Sequence, residues 1–102
     1  MGRKLGYMKG IHTILTTPLN KDQSVDYAGL RKLVEFGAAS NVDALIVLGT
    51  QGEFYAFTHE ERKQIIKNAV EAAAGRKPVI AGTSDSGTWP ALELTRYAKE
   101  VG

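Results

Sequence analysis

Ala44-Leu45-Ile46-Val47-Leu48 runs directly into Gly49-Thr50-Gln51-Gly52-Glu53. Five consecutive apolar residues with no polar alternation predict a strand buried on both faces, as in a parallel sheet. The run ends in a loop that holds two glycines, a hydroxyl, an amide and a carboxylate. In α/β folds the loops just past the carboxyl ends of the strands are where ligands sit. Glycines let such a loop turn sharply and approach a ligand closely. Successive backbone N–H groups in it can hold a carboxylate or a phosphate. Thr50 offers a hydroxyl that both donates and accepts, which suits a proton relay, and Gln51 offers an amide. The plainer reading is a βα loop in which Glu53 only bonds nearby backbone, and composition alone leaves both readings open.

The same unit recurs on either side. Residues 11–16 are rich in β-branched side chains and predict a first strand. Pro18 and the Asn20-Lys21-Asp22 cluster end it. Asp26 can cap a helix whose stripe is Leu30, Leu33, Val34 and Gly37, closed by Ser40-Asn41. Thr58 and Glu61 form a capping box for a second helix, buried through Ile65, Ile66, Ala69, Val70 and Ala73 and stopped at Gly75. Residues 78–81 predict a third strand. A polar loop follows, then a third helix capped by Thr88 with Pro90 in its first turn. Leu92, Leu94, Thr95, Ala98 and Val101 continue that helix along a less regular stripe.

The three strands begin near residues 11, 44 and 78, a β–loop–α repeat of about 33 residues. Eight such units make a closed barrel. Three parallel strands with helices on one side leave one sheet face bare and two edges unpaired. The fold expected is therefore α/β: the first three βα units of a TIM (β/α)8 barrel, with parallel strands and the helices outside. Residues 1–102 would form the N-terminal part of a single barrel domain, or the chain would associate to hide its bare surfaces.

Composition excludes several classes. Thirteen basic residues against 11 acidic ones give a net charge of +2. That is too mild for a nucleic-acid or membrane-surface partner. Arg3, Lys4 and Lys9 read as an exposed N-terminal tail. There is no cysteine, which removes disulfides, thiolate metal sites and a cysteine nucleophile and suits the cytoplasm. No apolar run approaches the roughly 18 residues of a membrane span. No long apolar segment follows the basic start, which speaks against a secretory signal. His and carboxylate spacings match no zinc or iron site, so no metal is expected. Single residues read plainly too. His12 is a partnered structural histidine, and His59 is exposed on the first turn of its helix. Residues 83–87 are a locally capped polar loop. Trp89 packs the start of the third helix, and Lys77 and Lys99 are solvated surface lysines.

Four pieces occur in order. Thr17-Pro18 follows strand one, and Gly49-Thr50-Gln51-Gly52-Glu53 follows strand two. Thr58-His59-Glu60-Glu61-Arg62 opens the second helix, and Gly75-Arg76-Lys77-Pro78-Val79-Ile80-Ala81-Gly82 enters strand three. Together they resemble the dihydrodipicolinate synthase / N-acetylneuraminate lyase family, from about residue 10 to residue 102. The resemblance implies a barrel of class I aldolases and hydro-lyases that needs no cofactor and assembles as a homo-oligomer. It implies a pyruvate or other 2-keto acid substrate, held as a Schiff base on a lysine of strand six while a tyrosine of strand five shuttles the proton. A protonated imine is an electron sink beside which a carbon–carbon bond forms or breaks. Thr50 matches the hydroxyl residue of the proton relay. Gln51 stands where a second threonine or serine binds the keto-acid carboxylate, and Gly49 and Gly52 match the glycines that shape the loop.

There are departures. The Gln51 side chain is longer than the residue it replaces, which points to a 2-keto acid other than simple pyruvate. Phe54, Tyr55, Ser86 and Pro90 differ from the pattern of lysine-regulated synthases, in which only His59 matches. This points toward a sugar-acid lyase or dehydratase. The strand-five tyrosine and strand-six lysine should lie beyond residue 102, so this chain alone is expected to be inactive. The competing expectation is a non-catalytic βα module that self-associates and binds small anions, or a barrel fragment that pairs with a complementary chain.

Overall fold

Among the described residues three strands and three helices alternate: β1 (His12–Ile14), α1 (Tyr27–Ala38), β2 (Ala44–Val47), α2 (His59–Ala73), β3 (Val79–Ala81) and α3 (Thr88–Val101). A 3-10 turn, Phe54–Ala56, precedes α2. The computed structural model describes residues 9–102, so the expectation for Arg3 and Lys4 lies outside the described residues. Lys9 is exposed. The sheet is parallel throughout, in the order β1-β2-β3. Ile14, Ile46 and Ile80 stand in register across it, as do Thr13, Leu45 and Val79.

Local chemistry sets the helix starts. The Asp26 carboxylate accepts from Gly29 N at 2.9 Å. Thr58 and Glu61 complete both halves of the capping box: Thr58 N donates to Glu61 Oε1 at 2.8 Å and Glu61 N to Thr58 Oγ1 at 3.2 Å. Each contact satisfies a donor that the first helical turn would otherwise leave unpaired. The third helix differs from expectation. Thr88 is already its first helical residue, and the cap is Gly87, which supplies no side-chain bond. At the end of α2 the chain turns left-handed one residue before Gly75, at Ala74 with φ 50°.

The helices cover one side of the sheet. Leu45 and Val47 are buried against them, with Leu30, Val34, Ile65, Ile66, Ala69 and Leu94. At Gly37 an added Cβ would come within 2.6 Å of Leu45 Cδ2, so α1 lies close against β2 because that helical position has no side chain. The other side of the sheet is open. Ile14 is 48% exposed, and Ile46 and Ile80 are half-buried. On that face Ala44 is buried and Ile46 only half-buried, so the expectation that β2 is buried on both faces holds at its start and not at its end. Period-2 alternation sends every second strand residue to the face that no described element covers.

The strands are shorter than the sequence suggests. β2 ends because Leu48 adopts a left-handed backbone, φ 60°. That bends the chain out of the sheet, and the ends of β1 and β3 lose their partner there. No helix among the described residues is long and apolar enough to cross a membrane.

Candidate functional site

The loop after β2 is built as two overlapping turns. Gly52 N donates to Gly49 O at 3.0 Å, and Glu53 N donates to Thr50 O at 3.0 Å. Leu48, just before them, and Glu53, just after, both have positive φ, 60° and 56°. Such backbone is uncommon outside glycine, and non-glycine residues held there cluster at functional sites. Leu48 is held there by burial, at 1% exposure.

Gly49 lies over the open sheet face, where an added Cβ would meet Ile14 Cγ2 at 3.4 Å and Ile46 Cγ2 at 3.8 Å. Gly52 is buried, while Thr50 and Gln51 are exposed at the tip. The structure thus brings Gly49, Thr50, Gln51 and Gly52 into one turn at the carboxyl end of the central strand. Gly52 N and Glu53 N are used inside the turn, and the exposed Thr50 hydroxyl and Gln51 amide at its tip are groups that suit a carboxylate ligand.

Neighbouring loops hold this turn. From the β1 side, the buried Thr17 hydroxyl donates to Gly52 O at 2.7 Å. From the β3 side, Gly82 N donates to Val47 O at 2.8 Å. Arg62 adds a clasp that sequence reasoning missed. Its guanidinium is buried and donates to Phe57 O (3.2 Å), Ser84 O (2.9 Å) and Asp85 Oδ2 (3.2 Å), and it lies 5.7 Å from the Phe54 ring centre. It therefore ties the segment after the turn to the loop after β3. The Ser86 backbone N–H, aided by the Arg62 charge, holds the Asp85 carboxyl below the usual carboxylate range. The signal for Arg62 was present in the sequence: it falls on the same helical face as Ile65, Ile66, Ala69 and Ala73.

Other expectations need correction. His59 is half-buried rather than exposed, and its Nε2 meets the Glu93 carboxylate of α3. Lys77 is not simply solvated: its Nζ donates to Val42 O at 2.7 Å and fastens the bottom of the sheet. Trp89 is 75% exposed and does not pack the start of α3. Pro90 fixes the backbone there, and the indole lies along a surface cleft lined by His59, Asp85, Glu93 and Arg96. His12 is partnered as expected, with its Nε2 3.2 Å from Lys9 O. Lys99 is exposed near the end of α3.

With the turn and its supports in place, comparison with known proteins gives the family. A sequence profile described as the dihydrodipicolinate synthetase family matches residues 7–102. The chain belongs to that family. The 4-hydroxy-tetrahydrodipicolinate synthase of Methylibium petroleiphilum is 48% identical over 88 residues, which are 86% of this chain and 30% of the relative. The N-acetylneuraminate lyase of Mycoplasma synoviae superposes with a TM-score of 0.90 at 31% identity, over 96% of this chain and 34% of that one. A dihydrodipicolinate synthase from Acinetobacter baumannii, solved with pyruvate, superposes with a TM-score of 0.86 at 39% identity, over 91% of this chain and 32% of that one. The chain thus spans about a third of the length of the relatives it matches. Its three parallel βα units are those of a TIM-barrel fold, and the dihydrodipicolinate synthetase family to which it belongs is a family of lyases.

Proposed function

We propose that residues 1–102 are the N-terminal part of a (β/α)8 barrel enzyme that acts on a 2-keto acid through a Schiff base, by aldol cleavage, condensation or dehydration. The observation that carries this reading is the position of the turn over the open sheet face, at the carboxyl end of β2. That is the rim where barrel enzymes assemble their sites. The family membership supports it, as does the pyruvate-bound Acinetobacter relative.

In this reading the loop 49–53 binds the keto-acid carboxylate. The backbone N–H groups of Thr50 and Gln51 and the Gln51 side-chain amide donate to its oxygens. Gly49 and Gly52 keep the approach free of side chains. Thr50 accepts a proton from one partner and passes its own to the next, which a hydroxyl does without becoming charged. The lysine that forms the imine and the tyrosine that shuttles the proton come from later strands, and residues 1–102 alone carry no Schiff-base activity. The imine withdraws electrons from the adjacent carbon, and the proton relay resolves the resulting intermediate. The expected setting is a cytoplasmic homo-oligomer.

The test is reductive trapping. The complete gene product is incubated with pyruvate or a larger 2-keto acid, treated with borohydride and weighed by mass spectrometry. The reading predicts a covalent adduct on one lysine outside residues 1–102. A complete product that is never trapped by any 2-keto acid removes the catalytic claim and leaves the anion-binding module.

A further inference from the structure

Thr50 and Gln51 stand exposed at the tip of the turn. Side-chain packing therefore does not fix them, and their positions depend on whatever anchors the base of the turn. On one side, steric contact fixes that base. An added Cβ at Gly52 would meet Leu48 N at 3.1 Å, Leu15 O at 3.2 Å and Leu48 Cα at 3.3 Å, so the Gly52 peptide lies wedged against the ends of β1 and β2. Contact of this kind stops inward movement and leaves outward movement free.

One side chain outside the turn bonds the Gly52 peptide directly and resists the outward movement. The Thr17 hydroxyl donates to the Gly52 carbonyl at 2.7 Å, across 35 residues of sequence, in a buried setting. Thr17 is itself a stiff support. It precedes Pro18, which biases its backbone to an extended conformation, and its β-branch restricts χ1. Pro18 O in turn accepts from Asp26 N at 2.9 Å, and Asp26 caps α1. The hydroxyl is thus mounted on a helix start and aimed at the turn.

We infer that Thr17 is a positioning residue for the 49–53 turn: its hydroxyl, by holding the Gly52 carbonyl, sets where the Thr50 hydroxyl and the Gln51 amide stand. What those two groups do rests on the keto-acid reading above; that they are placed by Thr17 does not. A buried carbonyl that loses its donor seeks another partner, and the peptide that carries it moves. Both turn hydrogen bonds, Gly52 N to Gly49 O and Glu53 N to Thr50 O, then shift with it.

The test uses the complete gene product, isotope-labelled, with Thr17→Val, which keeps the shape and loses the donor, and Thr17→Ser, which keeps the donor. In Thr17→Val the backbone amide resonances of Thr50, Gln51 and Gly52 should move while those of α1 and β3 stay. In Thr17→Ser they should return toward the parent positions. The KM for the keto acid should rise about tenfold in Thr17→Val, the loss expected for one hydrogen bond of this kind, and recover in Thr17→Ser. Unmoved turn resonances in a folded Thr17→Val protein would overturn the inference, and so would a Thr17→Ser protein that behaves like Thr17→Val. If Thr17→Val does not fold, hydrogen exchange of the unsubstituted protein decides. A pinned turn protects the Glu53 amide as well as the amides of β2, and exchange at loop rates overturns the inference. Moved resonances in a protein that never traps a keto acid would sink the enzymatic reading and leave the tether standing.

Discussion

At the residue scale, Thr50 carries the largest claim. In a proton relay, a hydroxyl contributes to the transition state far more than to ground-state binding. Thr50→Val should therefore lower kcat by roughly 10²–10⁴-fold, the usual range for losing a general acid–base partner. KM should change little, and Thr50→Ser should retain most of the activity. Steady-state kinetics on the complete gene product checks this. For Gln51 the proposed carboxylate-binding role predicts an effect on selection rather than on rate. Gln51→Thr shortens the donor and opens space, so kcat/KM for pyruvate should rise relative to that for a bulkier 2-keto acid. An unchanged ratio would separate Gln51 from substrate choice. These two residues were legible in the sequence because they sit within five residues of a strand that announces itself. Thr17 was quoted there only as part of a motif. Its bond to Gly52 spans 35 residues, and nothing local marks which carbonyl a hydroxyl will reach.

At the element scale, the loops after β1, β2 and β3 hold one another. Gly82 shows how closely. A Cβ there would stand 2.1 Å from Leu48 O, so Gly82→Ala forces the ends of β2 and β3 apart. The cost should be about 1–3 kcal/mol, that of overpacking a tight site, and the melting temperature reads it. The Arg62 clasp gives a pH dependence. The Asp85 pKa is depressed in the native state, first by the Ser86 N–H and then by Arg62. The unfolded chain binds the proton more readily, near the ordinary value of about 3.9. The clasp's contribution is thus complete above that value and is lost as pH falls through the lower native pKa. Between pH 5 and strongly acid conditions, the melting temperature of the parent should fall more steeply than that of Asp85→Asn. Asp22, lowered by Ser24, titrates in both proteins and cancels. Parallel curves would place no weight on the clasp.

The same scale shows what sequence can carry. The capping box, the Asp26 cap and the apolar stripes of α1 and α2 depend on contacts three or four residues apart, and the structure reproduces them. The stripe expected for α3, by contrast, is buried only at Leu94, with Leu92 and Thr95 exposed. The pairing of His59 with Glu93, the burial of Arg62 and the exposure of Trp89 depend on how α2 meets α3. That packing is fixed by neighbouring units in the fold, and a linear pattern does not record it. Arg62 comes nearest to an exception, since its position on the buried stripe was readable even though its partners were not.

At the scale of the whole molecule, an unfinished surface governs the account. Ile14, Ile46 and Ile80 form an apolar row on the face opposite the helices. In a barrel this row lines the interior, and the turn of Gly49, Thr50, Gln51 and Gly52 stands above it at the rim. The relatives are about three times as long as this chain, and the proposal assigns the imine-forming lysine to that remainder. The division of labour is then simple. Under that proposal these three units would supply the carboxylate-binding rim and one link of the proton relay, and the covalent chemistry would come from later strands of the ring.

The most direct test is a crystal structure of the complete gene product after reduction with borohydride in the presence of a 2-keto acid. The account predicts a lysine adduct whose carboxylate lies within hydrogen-bonding distance of the Thr50–Gln51 turn, with the Thr50 hydroxyl in line with a tyrosine. A carboxylate bound elsewhere in the barrel, with the turn left facing solvent, would contradict it.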